Sequence, residues 1–329
     1  MRRRGFIAGL GAAASSAVWP RTARAQQPKL PVLGFLGATT PEPNAEYVAG
    51  LRQGLKETGF VEGENVAIEY RWAEGRYDRL PALAAELVKR QVAVIVPIGG
   101  APPTLAAKAA TSTIPIVFNM GGDPVRLGVV ASLGRPGGNV TGVAMLVVEI
   151  QAKRLELLCE LVPAAALIAV LVNPNNPQAD AELRAVQEAA RTIGKQMLVL
   201  TASTEGELET AIATLVQRRA DALLVGADTF FGSQFALLHA LTMRHRIPAA
   251  YYTREAAVRG GLMSYGTNFR DAYRQTGVYV GRVLKGAKPA ELPVTQATNF
   301  EFVLNLNTAK ALGIDIPLKL HAFADEVIE

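Results

Sequence analysis

Val92-Ala93-Val94-Ile95-Val96 and Leu167-Ile168-Ala169-Val170-Leu171-Val172 are apolar without interruption, and such runs constrain the fold of this chain most. A strand with one wet face alternates apolar and polar residues. A continuous, β-branched run belongs to a strand covered on both faces, as in a parallel sheet between helix layers. A buried run at 32–37, an alternating one at 65–70, and further strands at 114–118 and 140–145 complete a first set, and helical spacings fall between them. Tyr47, Val48, Leu51 and Leu55 form one such face, and Leu80, Leu83, Ala84, Leu87 and Val88 another.

The rhythm restarts after Pro163. Strands are expected at 167–172, 197–200, 222–226 and 247–251. Leu183, Val186, Ala190 and Ile193 mark a helix between them, as do Leu208, Ile212, Leu215 and Val216, and a third helix is expected over 234–244. Two successive strand–helix series define an α/β protein with two doubly wound parallel-sheet lobes. No low-complexity linker separates the series, so the lobes are expected to be joined by crossing strands that act as a hinge.

The first residues add a location. Arg3-Arg4-Gly5-Phe6-Ile7 is a twin-arginine pattern, a short apolar stretch follows, and Ala23-Arg24-Ala25 is a small-residue exit. This is the form of a removable export signal at 1–25, cleaved after Ala25, with the protein delivered to the periplasm. The apolar run is too short and too rich in Gly and Ala to be a membrane anchor, which needs about 20 apolar residues.

Removing the signal changes the electrostatics. Of the 34 Lys and Arg, five lie in those 25 residues, leaving 29 against 29 Asp and Glu. A near-neutral chain lacks the uncompensated basic surface that nucleic acid requires. Cys159 is the single cysteine. It falls on an apolar helical stripe with Leu155, Leu158 and Val162, so a buried structural thiol is expected there.

In parallel sheets ligands gather beyond the carboxyl ends of the strands. Here those ends carry Thr39 and Thr40, then Gly99-Gly100-Ala101 before a helix, Asn119 and Asp123, Asn173, and Asp228. A glycine turn at a helix start allows close backbone approach and offers free N–H groups to an anion. Any single Asn or Asp here also suits a cap or a turn, but their recurrence in both lobes marks a cleft rim. Tyr251 and Tyr265 serve equally as walls for a planar ligand or as core. No catalytic set, metal-ligand spacing or cofactor motif stands out: Gly9-Leu10-Gly11-Ala12-Ala13-Ala14 has no strand before it, and the three histidines are not grouped with other ligands.

Several ordered motifs resemble one family. Gly122-Asp123-Pro124-Val125 through Leu133-Gly134-Arg135-Pro136-Gly137-Gly138-Asn139-Val140-Thr141-Gly142-Val143 is similar to a segment of ABC-transporter substrate-binding proteins. These are type I periplasmic binding proteins whose better-known members bind aromatic amino acids. Arg259-Gly260-Gly261-Leu262-Met263-Ser264-Tyr265-Gly266, the 286–294 and 305–313 segments and Ala324-Asp325-Glu326-Val327-Ile328 match as well.

The resemblance implies lobes at 29–145 plus 267–298 and at 146–263 plus 300–329, with crossings near Met145, Ser264 and Phe300. It implies a monomer without cofactor or metal that captures a small polar or amphipathic ligand, such as an amino acid or other carboxylate, for an ABC permease. The family's contacts fall on Thr39, Thr40, Gly99, Gly100, Ala101, Asn119, Asp123, Asn173 and Asp228. A hydroxyl that relatives often carry after the third strand is replaced here by Gly-Gly-Ala-Pro-Pro. A ligand-sensing module for a membrane receptor and an exported enzyme on the same fold class are the alternatives.

Overall fold

The computed structural model describes residues 30–329; the expected export signal lies outside them. The first series runs β1 (Val32–Gly37), α1 (Ala45–Glu57), β2 (Ala67–Trp72), α2 (Leu80–Lys89), β3 (Val94–Ile98), α3 (Ala101–Ala110), β4 (Ile116–Gly121) and β5 (Val140–Met145). The second begins with α4 (Gln151–Leu161), β6 (Leu167–Val172), α5 (Ala179–Thr192), β7 (Gln196–Thr201) and α6 (Glu205–Gln217). It continues with β8 (Ala222–Val225), α7 (Thr229–Ser233), α8 (Phe235–Arg244), β9 (Ala249–Tyr251), α9 (Arg254–Val258) and β10 (Met263–Thr267). A return segment holds α10 (Phe269–Leu284) and β11 (Thr295–Ala297). The tail holds β12 (Phe300–Asn305), α11 (Leu306–Leu312), α12 (Leu318–Phe323) and β13 (Glu326–Ile328).

Two sheets result, ordered β11-β5-β4-β3-β1-β2 and β13-β12-β10-β9-β8-β6-β7. The chain passes between them three times: after β5, after β10, and between β11 and β12. Thr267, where the sequence reading begins the return segment, is still paired with Phe300 in the second sheet. The expectation of wholly parallel sheets needs one correction, because β12 runs antiparallel to β10. The cause is the hinge. β10 leads the chain out of the second lobe and β12 brings it back through the neighbouring crossing, so the two must run in opposite directions.

Each sheet has apolar layers on both faces. In the first lobe Leu36, Ile95 and Phe118 face α2 and α3, whereas Leu33, Phe35, Val94 and Val96 face α1 and α10. The continuous runs thus feed two cores at once, as their lack of alternation requires. On the second side α1 and α10 approach closely through Gly50 and Gly54 on one helix and Gly277 and Gly281 on the other. A Cβ on Gly54 would overlap the carbonyl oxygen of Arg274, and one on Gly277 that of Leu51. Cys159 is only half-buried, at the edge of the second lobe's core, which corrects the expectation of a fully buried thiol.

Candidate functional site

The carboxyl ends of β1, β3, β4, β8 and β9 converge between the lobes on a cavity of about 1000 Å³, the open space at its mouth included. Thr39, Tyr47, Gly99 and Gly100 contribute the first lobe's wall. Asp228, Phe231, Tyr252 and Glu255 contribute the second. The lining is mostly apolar and aromatic, with few polar groups, which is the usual make-up of a small-molecule pocket.

On the first wall the side chain of Asn44 positions the loop after β1. Its Nδ2 donates to Thr39 Oγ1 at 2.7 Å and to the Thr40 carbonyl at 2.7 Å. Gly100 caps α3 at a φ of 101°, which a side chain would strain. The helix start itself offers less to an anion than the sequence suggests. Pro102 and Pro103 fill its first turn and remove two of the N–H groups that a helix normally leaves free. Tyr47 projects from α1 and packs against Phe269 and Tyr273, with ring centroids 5.5 and 5.1 Å apart.

On the second wall Asp228 follows β8 and caps α7, accepting from the Phe230 N–H at 2.9 Å. Asn173 Nδ2 and Asn176 Nδ2 also donate to it, at 3.0 and 2.9 Å. Burial raises its carboxyl above the usual aspartate range, and these hydrogen bonds pull it back. Three side chains, Tyr77, Tyr47 and Gln178, hydrogen-bond across the cleft. Tyr77 OH, from a turn of the first lobe, stands 3.0 Å from each Asp228 oxygen. Tyr47 OH donates to Glu255 Oε2 at 2.6 Å, and Gln178 Nε2 donates to the Gly121 carbonyl.

Of the residues singled out in the sequence, Thr39, Gly99, Gly100, Asp228 and Tyr251 line the cavity. The other six lie outside its lining, each for a physical reason. Thr40 is half-buried and meets Asn44 through its backbone. Ala101 packs in the first lobe's core. Asn119 points to α10, where its Nδ2 donates to Thr276 Oγ1 at 3.0 Å. Asp123 is exposed and caps its own turn by accepting from the Val125 and Arg126 N–H groups. Asn173 stands behind Asp228 and reaches the site only through it. Tyr265 packs on the far face of the second sheet against Phe300 and Phe302.

Sequence reasoning missed Tyr47, Glu255 and the buried pair beneath the second wall. Tyr47 was legible only as one more apolar helix position. Arg154 and Glu182, by contrast, sit on the buried stripes of α4 and α5, where a charge is itself a signal. Arg154 Nε donates to the Tyr265 carbonyl at 2.7 Å and Nη1 to Gln151 Oε1 at 3.0 Å. Glu182 Oε2 accepts the Ala227 N–H at 3.2 Å, one residue before Asp228. Among the described residues no group of three His, Cys, Asp or Glu is placed to hold a metal.

Two mostly parallel sheets, three crossings and a cavity at the strand ends define a two-lobed binding protein of the type I periplasmic class. The family model for ABC transporter substrate binding proteins matches residues 42–328, and the chain belongs to that family. The tyrosine-binding protein of Clostridioides difficile (strain R20291) is 28% identical over 266 residues, covering 80% of this chain and 76% of the relative. A Streptococcus pneumonia ABC domain solved in complex with L-Trp is 25% identical, with a TM-score of 0.84 over 91% of this chain and 100% of that one. A Clostridium difficile substrate-binding protein with adhesive properties, solved ligand-free and open, is also 25% identical. Its TM-score is 0.64, over 91% and 99% of the two chains. At equal identity, this chain superposes better on the L-Trp complex than on the open form.

Proposed function

We propose that this chain is the extracytoplasmic solute-binding protein of an ABC importer and captures an amphipathic ligand of the aromatic amino-acid class. The observation that carries this reading is the cavity between the lobes, where Tyr47, Phe231, Tyr252, Phe269 and Tyr273 surround a small number of polar groups. Relatives named for tyrosine binding and solved with L-Trp support the ligand class. A planar apolar body would be buried between rings, and its polar head would exchange water for fixed donors and acceptors. The ligand would favour the closed arrangement, which the permease distinguishes from the open one.

The export pattern at 1–25 supports a periplasmic location, and the near-neutral remainder argues against a nucleic-acid partner. Among the described residues no helix is long and apolar enough to cross a membrane.

Thermal unfolding against a panel of amino acids, aromatic acids, short carboxylates, sugars and nucleosides tests the ligand class. A ligand at 100 times its Kd adds about 2.7 kcal/mol of stability and raises the midpoint visibly. L-tyrosine or L-tryptophan is expected to do so saturably and without being converted. A midpoint raised only by sugars or nucleosides, or turnover of the bound compound, would contradict the proposal.

A further inference from the structure

Two carboxylates line the cavity, and their surroundings differ. Asp228 is 5% exposed and already supplied with donors. Its Oδ1 accepts from Asn173 Nδ2 and the Phe230 N–H, its Oδ2 accepts from Asn176 Nδ2, and the Tyr77 hydroxyl spans both oxygens. A carboxylate has about four lone-pair sites. Four protein donors fill them, and one of the four comes from the opposite lobe.

Glu255 is half-buried in the first turn of α9. Only its Oε2 is engaged, by Tyr47 OH at 2.6 Å, and Oε1 has no protein donor. The cation next to it in sequence is committed elsewhere: Arg254 Nε and Nη2 pair with Glu326 at 2.6 and 2.7 Å. Arg259, which does line the cavity, is exposed, with its guanidinium 4.8 Å from the centroid of the Phe235 ring. Glu255 therefore faces an aromatic-walled cavity without an ion-pair partner, with Arg254 acting on it only at longer range.

We infer that the cleft divides its two acids between two tasks. Glu255 anchors a cationic nitrogen of the ligand, and Asp228 with Tyr77 forms a latch that holds the lobes closed without touching the ligand. This rests on the proposed aromatic amino-acid class and adds which group of that ligand is recognised, and by what. An ammonium over Tyr47 would gain both the free carboxylate oxygen and the negative faces of the rings. The latch acts on every ligand alike. Apparent affinity is scaled by the fraction of closed, competent protein, whatever the ligand's chemistry.

Calorimetric titration separates the two roles. The wild type, Glu255→Gln and Tyr77→Phe are titrated with L-tyrosine, with tyramine (no carboxylate) and with 3-(4-hydroxyphenyl)propionate (no amine). Circular dichroism melts confirm that both variants fold. Glu255→Gln is expected to weaken the two amines by about tenfold or more, the scale of a lost charged hydrogen bond, and to spare the propionate. Tyr77→Phe is expected to weaken all bound probes by one common factor, roughly threefold to tenfold.

A wild type that takes the amines and refuses the propionate also supports the anchor. Equal losses across the probes for Glu255→Gln would overturn the anchor, and unequal losses for Tyr77→Phe would overturn the latch. If the wild type takes the propionate but neither amine, the anchor falls while the function stands. If it binds none of the three, the proposed ligand class itself falls and the inference with it.

Discussion

Arg154 is fully buried and Glu182 is 2% exposed, so each is an ionisable group in a place that rarely tolerates a charge. Burial pushes the Glu182 carboxyl up to about 8 and the Arg154 guanidinium down to about 10, while each partly offsets the shift of the other. The sign of the consequence follows. A carboxyl at 4.5 in the unfolded chain and about 8 in the native one makes folding take up a proton between those values. Stability is then greatest below about pH 4.5 for this group and falls as pH rises through the window. Melting midpoints from pH 5 to 8 should decline in the wild type, and Glu182→Gln should flatten that decline. An identical slope in the variant would remove Glu182 as its source. The same pair shows what residue-level reading catches. A charged residue on an apolar stripe is visible in the sequence, as at Arg154 and Glu182. An exposed acid that caps its own turn, as Asp123 does, looks the same as one that reaches into a cleft.

At the scale of elements, α1 and α10 show how far the local pattern reaches. The apolar face of α1 is legible, but Gly50 and Gly54 become meaningful only beside Gly277 and Gly281, more than 200 residues away. Replacing Gly54 by Ala forces the helices apart, because the new Cβ would overlap backbone rather than a flexible side chain. The expected cost is about 1–3 kcal/mol, read as a lowered denaturant midpoint. An unchanged midpoint would mean the helices can separate freely. Loop-borne side chains were least legible for a related reason. The runs that build β1, β3, β6 and β8 carry their own signal of burial on both faces, so the number of lobes followed from them, whereas the edge strands β2 and β7 are only partly buried. Which strand-end residue faces the cleft depends on a turn's geometry, and Asn119 faces a helix because β4 turns it there.

For the whole molecule, closure is the property on which the proposed function depends. Hydrogen bonds from three side chains, Tyr77, Tyr47 and Gln178, now span the cleft, and the three crossings supply a hinge about which the lobes can part. Two arrangements of two rigid lobes, biased by what lies between them, suffice to turn ligand occupancy into a shape that a membrane partner can read. The most direct test is small-angle X-ray scattering from the ligand-stripped protein during titration with L-tyrosine. Capture between closing lobes predicts a radius of gyration that contracts and saturates at one ligand per chain. A radius that stays constant while the ligand binds would contradict it.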